Sequence, residues 1–194
     1  MNAGFDVLIV GIGGQGTILA SNILGEACLI EGRSVRGAET HGMAQRGGSV
    51  ESHIRINGIH GPLIAPGTAD ILIAFDMLEA TRYAHYLKNN GTMIVNRHLV
   101  VPTSVFVQGL AAPSIEDLEQ SLAHCSPCLI DAEAIALTAG SPLVQNVVII
   151  GAASRHLPLS PASLREAIRR LVPPKTMEMN IKAFEMGIVA GDLC

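Results

Sequence analysis

A glycine-rich turn near the amino terminus holds the first residues suited to chemistry. Residues 11–16 read GIGGQG and fit the pattern G-x-G-x-x-G, between an apolar strand and a helix. Backbone N–H groups in such a turn can approach a phosphate, and the N-terminus of the helix favours negative charge. The candidate cofactor-binding residues are Gly11, Gly13, Gly14, Gln15 and Gly16. A purely structural role stays open, because the same glycines let a strand and a helix pack closely.

A second motif, THGMAQRGGSV, occupies residues 40–50 and offers polar side chains among glycines. Arg46 is suited to a carboxylate or phosphate oxygen, because its planar guanidinium donates two parallel hydrogen bonds and stays charged. His41 could orient a ligand or exchange a proton near neutral pH. The alternatives are structural: Arg46 could pair with Glu39 or Glu51, and His41 could bond a loop carbonyl.

Glu39 follows the second predicted strand, where a dinucleotide-binding unit places an acid for the ribose. With the glycine turn it favours a small NAD(P)-linked oxidoreductase as one alternative. Two features argue against that alternative: a predicted antiparallel hairpin replaces the usual second crossover helix, and no separate substrate domain follows. A non-catalytic module that binds a nucleotide or coenzyme A is a third possibility.

The elements that position these motifs alternate between short apolar runs and amphipathic stretches. This pattern predicts one α/β domain over residues 1–194, with a doubly wound, mostly parallel, Rossmann-like sheet, an inserted antiparallel hairpin and a helical C-terminal part. The predicted strands are Phe5–Val10, Ser34–Ala38, Val50–Ile56, Ile59–Ile64, Ala69–Phe75, Thr92–Asn96, Thr103–Val107 and Leu129–Ile130. Asn57-Gly58, the commonest two-residue hairpin turn, is predicted to join Val50–Ile56 to Ile59–Ile64. The predicted helices cover residues 14–31, 77–88, 114–124 and 131–140, begin again at Pro142 and Pro161, and end with residues 176–187.

Composition narrows the class of protein. Charged residues make up 15% of the 194, against about 25% in an average protein. This shortage favours a subunit that docks on another protein, although an α/β core with a charge-poor exterior would also explain it. The net charge of −4 and the absence of Trp argue against nucleic acid. No apolar run reaches the length of a membrane span, and the N-terminus lacks a basic region, so we expect a cytoplasmic protein.

Four cysteines are present, and two of them form a single C-x-x-C motif, Cys125-Ser-Pro-Cys128. A zinc or iron–sulfur site needs four ligands, which this sequence does not cluster, so no bound metal is predicted. A redox dithiol is a weak alternative, because Cys128 leads into an apolar run and not into a helix. Cys28, on an apolar helix face, is interpreted as a core residue.

Several longer stretches resemble one family. These are GIGGQGTILASNILGEA, ETHGMAQRGGSVESHIRING, APGTADILIAFD, QNVVIIGAA and MNIKAFEMG. Together they are similar to the gamma-type subunits of 2-oxoacid:ferredoxin oxidoreductases, with HGMAQRGGSV most similar to the small subunit of the indolepyruvate enzymes. The resemblance extends over nearly the whole chain, and GGQG with RGG at this spacing is far more restrictive than G-x-G-x-x-G alone.

The resemblance implies a subunit that is inactive alone and binds no cofactor by itself. Thiamine diphosphate and 4Fe-4S clusters would lie in a large catalytic subunit that decarboxylates a 2-oxoacid, passes electrons to ferredoxin and transfers the acyl group to coenzyme A. The gamma-type domain would pack over the thiamine site, near the entry of coenzyme A. His41, Gln45 and Arg46 would then complete an active site shared with that subunit.

Overall fold

The computed structural model describes residues 4–41, 48–58, 61–102, 105, 107, 109 and 111–194. Six strands form one sheet: β1 (Phe5–Ile12), β2 (Val35–His41), β3 (Ser49–Ile56), β4 (Ala69–Ala74), β5 (Leu87–Asn96) and β6 (Cys128–Ile130). Their order is β2-β3-β1-β4-β5-β6. The pairs β1/β4, β4/β5 and β5/β6 are parallel, whereas β3 is antiparallel to both β1 and β2. The prediction of a mostly parallel α/β sheet is confirmed.

Seven α-helices are described around this sheet. They are α1 (Thr17–Ile30), α2 (Met77–Tyr83), α3 (Ile115–Leu122), α4 (Ala132–Ala139), α5 (Gln145–Ala153), α6 (Pro161–Leu171) and α7 (Met177–Gly191). Local signals set several of their ends. Ser114 and Asp117 form a capping box at the start of α3, and Ser160 caps α6 with Pro161 at its first position.

The sheet has a hydrophobic core on each face, as expected when helices cover both sides of parallel strands. One core joins β1, β4 and β5 to α1 and α4 to α7, through strand residues Val7, Ile9, Ile71, Ile73 and Ile94. The smaller core joins the same strands to α2 and α3, through Leu8, Val10, Leu72, Ala74, Met93 and Val95. Alternate strand residues therefore belong to opposite cores.

The predicted hairpin is wrong in its strands. Asn57-Gly58 was expected to join β3 to a returning strand at Ile59–Ile64, but residues 61–64 contain no strand, and Ile59 and His60 lie outside the described residues. The antiparallel partner of β3 is instead β2, with Val35 opposite Ile56 and His41 opposite Val50. The two paired strands are therefore those directly before and after residues 42–48. The prediction failed because the alternating pattern of β3 does not specify which neighbour it pairs with.

Two further boundaries differ from the predictions. The helix expected over residues 77–88 ends at Tyr83, and β5 begins at Leu87, so that Asn90 and Gly91 lie inside a strand and do not end a helix. The strand expected at Thr103–Val107 falls largely outside the described residues, and its described members, Val105 and Val107, are helical. Polar turn residues are compatible with β5 because its first half is exposed.

Candidate functional site at the carboxyl edge of the sheet

The glycine turn is shaped largely by its own packing. Gln15 Oε1 accepts a hydrogen bond from the Ile12 N–H at 2.7 Å, and a Cβ on Gly11 would lie only 2.8 Å from that oxygen. Gly16 has a φ of 83°, and a Cβ there would lie 2.4 Å from Nδ2 of Asn146. The close contacts at Gly11 and the positive φ at Gly16 therefore favour glycine at both positions, as the structural interpretation of the motif expects.

The backbone amides of the turn are only partly available to a ligand. The N–H of Gly13 donates to the carbonyl of Gly48 at 2.9 Å, and that of Gln15 donates to Ile12 at 3.0 Å. Gly14 differs, since its φ is 106° and a Cβ there would meet nothing within 4 Å. The open side of the turn is thus at Gly14, beside the N-terminus of α1.

A layer of side-chain amides connects the turn to the other strand ends. Asn96, the last residue of β5, donates to Gln145 Oε1 at 3.0 Å and accepts the N–H of Ala132 at 3.2 Å. Asn146 donates to the carbonyl of Gly16 at 3.4 Å. These amides therefore hold β5, α4, α5 and the glycine turn in one arrangement. Sequence reasoning missed them, although polar residues directly after an apolar strand are a usable signal.

Asp76, which follows β4, is a fully buried carboxyl at the same edge. Its Oδ1 caps α2 by accepting the N–H of Leu78 at 2.9 Å, and its Oδ2 accepts the N–H of Val100 at 2.7 Å. Burial raises the pKa of Asp76 in spite of these hydrogen bonds and of His98, whose Nδ1 lies 3.8 Å from Oδ2. Asp76 therefore ties the segment after β5 to the start of α2.

The start of β3 is fixed by a buried acid on α2. The Ser49 hydroxyl donates to Oε2 of Glu79 and lies 3.2 Å from the Tyr83 hydroxyl. Arg82 donates to the other Glu79 oxygen at 3.1 Å. Together with the bond between Gly13 and Gly48, these contacts position the residues that directly follow Arg46 and Gly47 in the chain. No sequence motif marks Glu79, apart from its place in the first turn of a helix.

The predicted site residues are only partly located. The backbone of His41 ends β2 opposite Val50, but its side chain lies outside the described part of the chain. Gln45 and Arg46 also lie outside the described residues. Because β1 ends beside the start of β3, with Ile12 opposite Ser49, the segment that carries them begins and ends at the same edge as the glycine turn.

Glu39 occupies a different environment from the acid of a dinucleotide-binding unit. It lies in β2, which β3 separates from β1, and it accepts a hydrogen bond from the Ser21 hydroxyl at 2.8 Å. It lines a cavity of about 610 Å³ between α1 and the hairpin, with Leu29 and Val35 among the other lining residues. The antiparallel strand between β1 and β2 removes the neighbouring parallel strands on which the ribose contact depends.

The cysteines and other potential metal ligands form no metal site within the described residues. There, no group of three or more His, Cys, Asp or Glu side chains could hold a metal ion. Cys128 forms a disulfide with Cys194 and not with Cys125, and Cys28 is a buried free thiol in the core, as predicted. None of the helices described here is long and apolar enough to cross a membrane.

Comparison with known proteins agrees with the resemblance. Residues 6–190 match the family described as pyruvate ferredoxin/flavodoxin oxidoreductase. The indolepyruvate oxidoreductase subunit IorB of Archaeoglobus fulgidus is 40% identical, over 94% of this chain and 92% of its own length. The IorB subunit of Pyrococcus horikoshii is 38% identical, over 96% of this chain and 95% of its own length.

A solved structure supports the same assignment. The gamma subunit of a keto/oxoacid ferredoxin oxidoreductase from Geobacter sulfurreducens superposes with a TM-score of 0.72 at 25% identity, covering 98% of this chain and 99% of its own. A 2-oxoglutarate:ferredoxin oxidoreductase from Magnetococcus marinus shares the fold, with a TM-score of 0.74, and this chain covers 32% of it. The family match spans nearly the whole chain, so this protein belongs to the pyruvate ferredoxin/flavodoxin oxidoreductase family, as a gamma-type subunit.

Proposed function

We propose that this chain is the small subunit of a thiamine diphosphate-dependent enzyme that oxidatively decarboxylates indolepyruvate and related aryl pyruvates to acyl-coenzyme A. One observation carries the substrate class: four relatives named as indolepyruvate oxidoreductase subunits are 35–40% identical over 94–96% of this chain. Relatives named as 2-oxoglutarate synthase subunits are only 25–30% identical over a similar share. An aryl 2-oxoacid is therefore favoured over 2-oxoglutarate.

The partner in this proposal is a large subunit that carries thiamine diphosphate and 4Fe-4S clusters and reduces ferredoxin. The four cysteines here do not suit a cluster, since two are joined in a disulfide and Cys28 is fully buried in the core. This chain would contribute protein contacts to the shared active site, and we expect the assembled enzyme in the cytoplasm.

The carboxyl edge of the sheet is the surface proposed to face that partner. Gly14 leaves the turn open, and Glu79 and Ser49 hold the end of the segment that contains His41, Gln45 and Arg46. Arg46 would bind a carboxylate or phosphate oxygen of substrate or coenzyme A, because a guanidinium forms two parallel hydrogen bonds to such groups.

Coenzyme A fits the glycine turn only in part. Its phosphates would find the N-terminus of α1 beside Gly14, a favourable location for negative charge. The Gly13 and Gln15 amides already donate within the chain, so they add nothing to such a contact. Phosphate binding at this turn would therefore depend on Gly14 and the first turn of α1.

The substrate class is tested by producing the chain together with its large subunit and following the reduction of ferredoxin that depends on coenzyme A. We expect kcat/KM for indolepyruvate and phenylpyruvate to exceed that for 2-oxoglutarate by about tenfold or more. An aryl side chain needs an apolar pocket, whereas a carboxylate side chain needs a polar one. The chain alone should be inactive. Higher activity on 2-oxoglutarate, or turnover of a substrate with NAD by the isolated chain, would contradict the proposal.

Arg46→Ala tests the shared site in the same complex. Loss of a charge-assisted contact should lower kcat/KM by about 10- to 100-fold, while folding and assembly stay intact. Arg155→Ala is the matched control, because Arg155 is exposed and pairs with Asp192 near the C-terminus. Unchanged turnover of the Arg46 variant, at both limiting and saturating substrate and coenzyme A, would remove Arg46 from the active site.

A further inference from the structure

A second cavity lies at the opposite edge of the sheet from the glycine turn. It is formed at the amino-terminal ends of β5 and β6 and has a volume of about 1030 Å³. Three of the four cysteines contribute to its wall, together with two histidines and a lysine. These residues are Lys88, His124, Cys125, Cys128, His156 and Cys194.

The disulfide in this cavity ties the C-terminus of the chain to the sheet. Cys128 is the first residue of β6, and Cys194 is the last residue of the chain, just beyond α7. Their Cα atoms lie 5.4 Å apart, within the usual range for a disulfide. The bond spans 66 positions of the chain, so α7 and β6 are covalently connected at this edge.

Cys125 is a free thiol three residues before Cys128. It ends a single 3₁₀ turn after α3, and Ser126 next to it adopts a left-handed backbone, with φ 48° and ψ 58°. The chain thus bends sharply between the two cysteines, and both line the same cavity. C-x-x-C spacing is also the spacing at which two cysteines commonly form a redox-active disulfide.

We propose that Cys125, Cys128 and Cys194 form a thiol–disulfide exchange site that releases the C-terminus from β6. The thiolate of Cys125 attacks Sγ of Cys128, a bond forms between these two sulfurs, and the bond to Cys194 breaks. The electron pair of the broken bond leaves with Cys194 as a thiolate. The number of disulfides is unchanged, so the exchange needs no external oxidant or reductant.

The burial of the three sulfurs distinguishes their roles. Burial raises the pKa of the Cys125 thiol, so only a small fraction is the attacking thiolate and the exchange should be faster at higher pH. Cys194 is exposed, so its released thiolate would be solvated, whereas Cys125 and Cys128 are half-buried and remain next to each other. Exchange requires the attacking thiol to reach the disulfide, and Cys125 and the disulfide line the same cavity. Cys28 is fully buried on α1 and takes no part in the exchange. It therefore serves as the control cysteine that cannot reach the disulfide.

Trypsin can distinguish the two disulfides directly. Cys125 and Cys128 lie in one tryptic peptide, residues 98–155, because no Lys or Arg occurs between them and either end, whereas Cys194 lies in residues 183–194. The full-length chain is equilibrated in a buffer of reduced and oxidised glutathione, its free thiols are trapped with N-ethylmaleimide, and the monomer is digested. A Cys128–Cys194 bond joins the two peptides. A Cys125–Cys128 bond leaves 98–155 unlinked, lighter by two hydrogens and unlabelled at both cysteines.

We expect both forms in the wild-type chain. Cys125→Ser should retain only the linked peptides, and Cys194→Ser should give only the internally closed peptide. In Cys28→Ser the ratio of the two forms should equal that of wild type. If the wild-type chain contains no closed 98–155 peptide while the linked pair is present, or if neither disulfide forms, the proposal is overturned.

Discussion

Strand β4 and the second half of β5 are covered by helices on both faces, whereas β2 forms the edge of the sheet and is connected to β1 only through β3. All but one of the residues of β4 are buried, and that one, Asp70, pairs with Lys88. Across the β1/β3 pair, in contrast, Asp6 and Arg55 lie directly opposite each other and form an ion pair. Apolar packing thus dominates at the helix-covered strands, and polar contacts contribute more in the β2-β3 hairpin and its pairing with β1.

This difference separates the part of the molecule that determines its stability from the part that holds the candidate site. Apolar burial contributes roughly 25 cal/mol for each Å² removed from water, so the helix-covered side should supply most of the stability. Strand β2 of the hairpin is half-buried or exposed along residues 35–40, so it should contribute less. Three substitutions test this comparison, and each has a matched control.

The largest effect is expected where α5 and α7 touch backbone to backbone. A Cβ on Gly187 would lie 2.1 Å from the carbonyl oxygen of Val148, a backbone atom that cannot move without shifting α5. Gly187→Ala should therefore destabilise the chain by about 3 kcal/mol in a denaturant titration.

Gly25→Ala is the control for that change. Gly25 lies in the interior of α1, and a Cβ there would meet nothing within 4 Å. The substitution should raise stability by roughly 0.5 to 1 kcal/mol, because alanine favours a helix over glycine. Equal effects at the two glycines would show that close helix packing does not limit the stability of this side.

A smaller loss is expected at the base of the hairpin. Arg55 on β3 binds both carboxylate oxygens of Asp6 on β1, through Nε and Nη2, at 2.9 Å each. Both side chains are largely buried. Arg55→Met would leave the Asp6 carboxylate without its cation and should cost about 2 kcal/mol, less than for a fully buried pair.

The control for Arg55 is an exposed ion pair. Arg170 binds Glu26 and Glu166, but about half of its side chain is exposed. Arg170→Met should cost no more than about 0.5 kcal/mol, because solvent screens such pairs. If both variants lose the same small amount, the polar contacts of the hairpin do not help to hold β3 against β1.

The fold was largely predictable because its local signals agree with each other. Several elements are specified by residues adjacent in the sequence. Examples are the apolar run before the glycine turn, the capping box at Ser114 and the helix start at Ser160-Pro161. The pairing of β3 with β2 was not predictable in this way. It depends on contacts between residues distant in sequence, and the signal of Asn57-Gly58, a common hairpin turn, favoured the wrong partner.

The site was less predictable than the fold. The glycine turn is located where expected, but Gln15 closes the turn from inside and Asn146, from the other end of the chain, packs on Gly16. Asp76 and Glu79 carry no motif and become important only because the fold buries them, Asp76 just after β4 and Glu79 on α2 against the start of β3. The roles of His41, Gln45 and Arg46 stay predictions, since their side chains lie outside the described residues.

The smallest predicted effect concerns a polar contact within the helical layer. Glu31, at the end of α1, accepts hydrogen bonds from the Ser160 N–H and the Ser163 hydroxyl at 2.7 Å each, and from Arg33 at 2.8 Å. Burial pushes the pKa of Glu31 upward, but these hydrogen bonds outweigh it and lower the pKa from 4.5 to about 2. The native state therefore favours the ionised carboxylate.

A carboxyl group whose pKa is lower in the folded state stabilises the protein at pH values above its unfolded pKa. This contribution is lost as the pH falls toward the folded pKa. Glu31→Gln should therefore be less stable than wild type by about 1 kcal/mol at pH 7, where wild type keeps charge-assisted hydrogen bonds. The difference should shrink between pH 4.5 and about 2, the window set by the pKa of Glu31. Urea titrations of both proteins across this range measure it, with the exposed Glu178→Gln as control. A difference that stays constant down to pH 2 would mean that packing of the carboxyl group, and not its charge, joins α1 to α6.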